Sequence, residues 1–186
     1  MIVKKCNTIC SWILIIALII HISVTVCFLF TGWYDVDLFI ETSRAVAGIC
    51  MLHICLSLAA VFFLHDGSDL GRYGRYNLQT IMQRASGLAI LLLIHSHTRL
   101  FSNFLYEWLP LTMAGKVHVF VVEMIFFAVI FIHLVFSFSR SFITLGLIRT
   151  DVTMKRLDIT AGIICAAGFV ITFIALARFL VNWPAA

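Results

Sequence analysis

Charged residues, cysteine pairs and prolines are all scarce in this sequence. Only 12% of its residues are charged, whereas 62% are hydrophobic. Soluble domains average roughly a quarter charged residues. The six cysteines form no CxxC pair, so we expect packing residues rather than a zinc site or a disulfide framework. A flavin or dinucleotide fingerprint and an iron–sulfur cysteine set are also missing, which excludes a catalytic domain of those kinds.

Long apolar runs dominate the chain instead, with a mean hydropathy of +1.08. A transmembrane helix needs about 20 mostly apolar residues. Runs near that length predict five transmembrane helices, at 12–30, 45–64, 85–101, 117–138 and 159–181. The first run is too long for a cleaved signal, so we expect a retained helix. No internal repeat interrupts the pattern, which predicts one all-α membrane domain over residues 1–186.

Basic residues predict the orientation in the membrane. With the N-terminus in the cytoplasm, nine Lys and Arg residues fall inside and at most four fall outside. Cytoplasmic segments are normally the richer in Lys and Arg. We therefore expect a multi-pass protein of the cell membrane with a cytoplasmic N-terminus. The net charge of +4 follows from this topology and indicates no nucleic-acid partner.

Histidines are the unusual feature of the apolar runs. They occur on each of the first four predicted helices, at His21, His53, His95, His97 and His133. Ionisable groups at this depth are costly and usually functional. For any one of them, a hydrogen bond to a neighbouring helix explains the imidazole as well as ligation does.

Two imidazoles from facing helices can fill both axial positions of a haem iron, and bundles of four helices build such sites. Zinc and di-iron sites fit less well, because there is no Glu-x-x-His motif and Glu123 is the only carboxylate within a span. Small residues near the histidines, namely Gly48, Ser86 and Gly87, would let a macrocycle approach the backbone. The histidines therefore predict a haem-binding core formed by the first four helices.

Three short stretches carry a resemblance to a known family. They are QRASG at 83–87, HSHTR at 95–99 and IFIHLVFSFSRSFITLGLI at 130–148. They resemble the third and fourth helices of the diheme cytochrome b anchor of succinate:quinone oxidoreductases, the succinate dehydrogenases and fumarate reductases with a single five-helix anchor. Five spans and histidines on helices one to four extend the resemblance over nearly the whole chain.

The resemblance implies the haem ligands. By position, His53 and His133 would hold the inner haem, and His21 and His97 the outer one. His97 is preferred to His95 because it stands fourteen residues after Gln83, like the family's ligand. Depth measured from the inner ends of the apolar runs, at about 1.5 Å per residue, gives a mixed result. It places the outer pair at about 14 and about 18 Å, but the inner pair at about 18 and about 6 Å.

The resemblance also implies the function. The chain would transfer electrons through two b haems between an iron–sulfur subunit and menaquinone, while an FAD-containing flavoprotein subunit interconverts succinate and fumarate. This chain would carry no dicarboxylate site, and the complexes would be able to dimerise. Basic residues on the inner side would either dock the partners or only set the topology; they are Arg72, Arg75, Arg149, Lys155 and Arg156.

Quinone reduction consumes protons, so carboxylates near the outer haem are candidates for a menaquinone site. Glu123, Asp37 and Glu41 are such residues, together with Arg99. A structural ion pair between Glu123 and Arg99 is the alternative. Arg99, Arg84 and Arg140 are candidates for binding haem propionates.

One position departs from the family pattern. Some members carry a proton-conducting glutamate two residues before the fourth-helix histidine, and here that residue is Phe131. We therefore predict that this chain lacks such a transmembrane proton path.

Two other functions stay open. A diheme cytochrome b that anchors another oxidoreductase, such as a hydrogenase, would use the same ligands. A non-redox scaffold or small transporter would use the histidines for proton relay, although the lack of an inverted repeat argues against a transporter.

Overall fold

The computed structural model describes residues 2–33, 35–63, 74–107, 112–148 and 150–183, without the side chains at 61–63, 74–77 and 101–107. Over these ranges the chain is all-α, as predicted. Its five helices are α1 (Ile2–Thr31), α2 (Val36–Phe63), α3 (Gly74–Glu107), α4 (Met113–Thr144) and α5 (Asp151–Asn182). Arg72 and Arg149, two of the basic residues considered for docking, lie outside the described residues.

Four of the helices are long and apolar enough to cross a membrane, namely α1, α4, α5 and residues 36–60 of α2. Many of their large apolar side chains are exposed, including Ile16 at 58%, Ile163 at 65% and Val181 at 79%. Apolar surface of this extent belongs in lipid rather than in water. The chain is therefore a multi-pass membrane protein in contact with a lipid bilayer. The predicted third span, 85–101, lies within α3, which is not among these four helices.

The helices are longer than the apolar runs that predicted them, because helical hydrogen bonding continues into polar residues beyond the hydrocarbon. Thus α1 begins at Ile2 and α5 at Asp151, each several residues before its apolar run. Polar caps mark two of the starts: Leu38 N donates to Asp35 Oδ1 over 3.0 Å, and Gly115 N to Thr112 Oγ1 over 3.1 Å.

Glycines in the left-handed conformation end two helices. Gly32 follows α1 with φ 72°, and Gly146 follows α4 with φ 76°. At the second site, Leu147 N donates to Phe142 O and Gly146 N to Ile143 O, which is a Schellman motif.

The chain divides into two compact units, the first made of Met1–Asp69 and Arg140–Thr150. In this unit α1 and α2 pack antiparallel. Asn7 Nδ2 donates to Ser57 Oγ over 3.1 Å near one end of the pair. Near the other end, the rings of His21 and Phe39 lie 5.6 Å apart.

The second unit contains Leu70–Ser139 and Asp151–Ala186, and hence α3, α5 and most of α4. Gln79 Nε2 on α3 donates to Asp158 Oδ2 on α5 over 3.3 Å. Helices α4 and α5 meet at Phe120 and Phe173, whose ring centroids are 5.5 Å apart. The core of this unit includes apolar side chains such as that of Leu176, which is 1% exposed. The prediction of one domain over 1–186 stays a prediction.

Candidate functional site

His97 on α3 and Glu123 on α4 form a buried polar pair in the second unit. Their Nδ1 and Oε2 atoms are 2.7 Å apart. The Glu123 side chain is fully buried, and that of His97 is 17% exposed. Among the described residues, the second carboxylate oxygen of Glu123, Oε1, has no hydrogen-bond partner. Glu123 thus pairs with His97, whereas the side chain of Arg99 is exposed.

Two aromatic rings of α4 fix the plane of the His97 imidazole. Phe126 stacks on it with a centroid distance of 4.5 Å and an interplanar angle of 26°. Phe127 meets it edge-on, with centroids 6.2 Å apart. Because Glu123 and Phe126 are three residues apart, one face of α4 supplies both the hydrogen bond and the stacking ring.

His133 on α4 is held against α3 in the same unit. Its Nδ1 lies 3.1 Å from Gln83 O and 3.0 Å from Ser86 Oγ. The Ser86 hydroxyl donates to Met82 O over 2.6 Å, so its oxygen is able to accept from the imidazole. Gly87 provides room for the ring, since a Cβ there would stand 3.4 Å from His133 Cε1.

Both histidines therefore use Nδ1 for hydrogen bonds to acceptors. When Nδ1–H donates to a carboxylate or carbonyl oxygen, the lone pair of the imidazole is on Nε2. Metal-binding histidines commonly have this arrangement, in which one nitrogen ligates and the other N–H is held by the protein. His97 and His133 thus fit the axial ligand role that haem iron requires.

The two positions lie at different levels of the α3–α4 pair. Ser86 and His97 are eleven residues apart on α3, and Glu123 and His133 are ten apart on α4. At about 1.5 Å per residue, the levels are separated by roughly 16 Å. Since ten or eleven residues make about three turns, both levels use the same helix faces.

His21 and His53 belong to the first unit, where they also lie towards opposite ends of a helix pair. His21 on α1 is half-buried beside Phe39. His53 on α2 is half-buried one turn before Ser57, which bonds to Asn7 near the start of α1. Within the described residues, Nδ1 of His53 has no hydrogen-bond partner. A buried ring nitrogen of this kind is compatible with a ligand role.

Each of the four histidines lies about three turns before the last described residue of its helix. His21, His53 and His97 come ten residues before Thr31, Phe63 and Glu107, and His133 comes eleven before Thr144. For His53 and His133 these spacings correspond to about 15 and about 17 Å. Helix α4 continues beyond 138 to Thr144, and the depths of the four histidines in the membrane stay predictions.

His95 differs from His97 in its surroundings. It is exposed, and its carbonyl accepts a hydrogen bond from Thr98 Oγ1 over 3.0 Å. Two residues along a helix correspond to a rotation of about 200°, so the two imidazoles project to opposite sides of α3.

The remaining candidates lie on α2, α3 and α4. Asp37 and Glu41 are exposed on the first turns of α2, and Glu41 Oε1 accepts from Arg44 over 3.0 Å. Arg84 on α3 is exposed, and Arg140 on α4 is half-buried. The contacts described above for His97 and Glu123 are with each other and with Phe126 and Phe127.

Phe131 is a packing residue. Its ring meets that of Phe169 on α5, with centroids 6.2 Å apart. A Cβ at Gly168 would stand 2.9 Å from Phe131 Cε1, so α5 approaches α4 closely at this glycine. The position where some family members carry a glutamate is thus filled by an apolar ring.

The contact between Glu123 and His97 was not predicted from the sequence. A signal was available, because the spacings 86–97 and 123–133 are both about three turns. Placing Ser86 opposite His133 in an antiparallel pair would have placed His97 opposite Glu123.

Within the residues described, no three His, Cys, Asp or Glu side chains converge on a common point as a protein-only metal site would require. Haem needs fewer protein ligands, because the porphyrin supplies four. In comparisons with known proteins, no family model, no curated protein and no solved structure matches this chain.

Proposed function

We propose that this chain is the membrane anchor of a succinate:quinone oxidoreductase, carrying electrons through two b haems between an iron–sulfur subunit and menaquinone. The observation that carries the proposal is the state of His97 and His133. Each imidazole has its Nδ1 atom within hydrogen-bond distance of an oxygen acceptor. The N···O distance is 2.7 Å for His97, and the two distances for His133 are 3.0 and 3.1 Å. The family resemblance identifies the same two residues as ligands.

In this proposal the ligand pairs are His21 with His97 and His53 with His133. Haem with two imidazole ligands is coordinatively saturated, so it supplies one-electron transfer without binding oxygen. The two levels at which His97 and His133 lie on the α3–α4 pair support two haems at two depths. The separation of roughly 16 Å between the levels on α3 and α4 is compatible with electron transfer from one to the other.

The partners follow from what this chain does not carry. An FAD-containing flavoprotein subunit would interconvert succinate and fumarate, and an iron–sulfur subunit would deliver electrons at the inner side of the cell membrane. Arg84 and Arg140 would bind haem propionates. Arg99, Asp37 and Glu41 are exposed and remain candidates for the menaquinone site. Full burial of Glu123 suits contact with His97 better than exchange of protons with a quinone.

The experiment is a difference spectrum on membranes that contain the intact complex. Succinate is expected to reduce the b-type absorbance contributed by this chain, and fumarate to reoxidise it. Reduction by hydrogen, with no response to succinate, would instead identify the anchor of a hydrogenase. If the purified chain has no b-type absorbance, the electron-transfer proposal is wrong and a scaffold or proton-relay role is favoured.

A further inference from the structure

The two histidines of the second unit meet different kinds of acceptor. His97 Nδ1 faces a carboxylate oxygen of Glu123 at 2.7 Å. His133 Nδ1 faces a backbone carbonyl and a hydroxyl, at 3.1 and 3.0 Å. Both arrangements orient an imidazole, but only the first places a side chain capable of negative charge beside the ring.

Burial makes this difference matter. Glu123 is 0% exposed, and its Oε1 has no hydrogen-bond partner among the described residues. The charge of a carboxylate in such surroundings is weakly screened. Carboxylates bonded to metal-binding histidines increase the basicity of the ligand. Greater basicity and nearby negative charge both favour the ferric over the ferrous state of a ligated haem.

We propose that Glu123 is the positioning residue of His97: it holds Nδ1–H, directs Nε2 to the iron, and lowers the midpoint potential of the haem that His97 ligates. This inference rests on the proposed function. It assigns Glu123 an action through His97, with no direct contact with haem or quinone, and replaces the expectation of a proton-handling residue at the quinone.

The test is a redox titration of the purified chain, with Glu123→Gln and Glu123→Asp compared with wild type. Gln keeps the size and an acceptor oxygen but removes the charge, so both haems are expected to be retained. The midpoint potential of one haem should rise by about 59 mV, which for one electron lowers the ferric-to-ferrous ratio about tenfold at a fixed ambient potential. Asp retains the charge and should give a smaller rise.

Two controls show whether the effect passes through His97. In a His97→Ala background, Glu123→Gln should leave the potential of the remaining haem unchanged. Ser86→Ala alters the surroundings of His133. It should leave the midpoint potential of the haem that His97 ligates at its wild-type value.

The outcomes separate this inference from the proposed function. Absence of haem in the wild type would sink the proposed function, and the inference with it. Two haems with unchanged potentials in Glu123→Gln would overturn the inference alone, as would equal shifts in the Gln and Asp variants. If Glu123→Gln loses one haem, the comparison rests on Glu123→Asp, where a potential identical to wild type would also contradict the inference.

Discussion

The imidazole of His133 lies against Gly87, where a Cβ would stand 3.4 Å from Cε1 and 3.7 Å from Nδ1. The preceding residue, Ser86, presents its hydroxyl oxygen 3.0 Å from the same Nδ1. The small pair on α3 was expected to make room for a macrocycle. In the structure both residues lie against the histidine itself, and the expectation about the macrocycle stays a prediction.

A larger side chain at Gly87 should therefore displace the ring. We expect Gly87→Leu to move His133 away from Gln83 O and Ser86 Oγ and to lower the haem content by one per chain. Gly162→Leu is the matched control, because a Cβ at Gly162 has no heavy atom within 4 Å and α5 carries none of the proposed ligands. The haemochrome absorbance per chain measures both variants; equal haem content in the two would contradict the account.

The close approach of α4 and α5 predicts a stability effect at Gly168. A Cβ there would stand 2.9 Å from Phe131 Cε1, so Gly168→Ala should destabilise the protein by about 1–3 kcal/mol. Gly162→Ala on the same helix meets open space and should have little effect.

Thermal unfolding in detergent, followed by tryptophan fluorescence, measures both alanine variants. The double variant Gly168→Ala with Phe131→Leu should recover part of the loss, because the shorter side chain vacates the contact. No difference between the Gly168 and Gly162 variants would show that the contact does not limit packing.

Within the first unit, the hydrogen bond between Asn7 and Ser57 should contribute modestly to the packing of α1 on α2. Interhelical hydrogen bonds in membranes are worth about 0.6 to about 2 kcal/mol, so Ser57→Ala should lower the free energy of unfolding by that amount. Ser23→Ala is a suitable control, since Ser23 Oγ bonds only within α1, to Ile19 O. Titration of mixed micelles with a denaturing detergent measures the difference.

Phe131 leads to a prediction about charge movement. Its ring packs against Gly168 and Phe169 and offers no titratable group. In liposomes containing the whole complex with its flavoprotein and iron–sulfur subunits, turnover with a menaquinol analogue should change the membrane potential. A voltage-sensitive dye reports the change, and Phe131→Leu should give the same response as wild type. Electroneutral turnover would show that a compensating proton path exists.

The apolar runs predicted the number and type of helices because lipid requires long stretches of apolar residues whose backbone bonds are internal. They did not predict the helix ends, since α1 includes polar residues such as Lys4 and Lys5, and α5 begins at Asp151. Helix ends depend on caps such as Thr112 and Gly146, which hydropathy does not detect.

Residue types and spacing were sufficient to identify His97 and His133 as unusual, but not their hydrogen-bond partners. The partner of His97 depends on the register of α3 against α4, which is a property of packing. Ser86 and Gly87 adjoin His133 for the same reason. Its position within an apolar run indicated that Glu123 is a functional residue. Only the fold showed that Glu123 contacts a histidine, His97.

The most direct test of the central claim is the haem content of the purified chain by a pyridine haemochrome assay, in wild type, His97→Ala and His95→Ala. The account predicts two b haems per chain in the wild type, one in His97→Ala, and two in His95→Ala, because His95 is exposed on the other side of α3. A wild-type chain without haem, or equal loss in both variants, would contradict it.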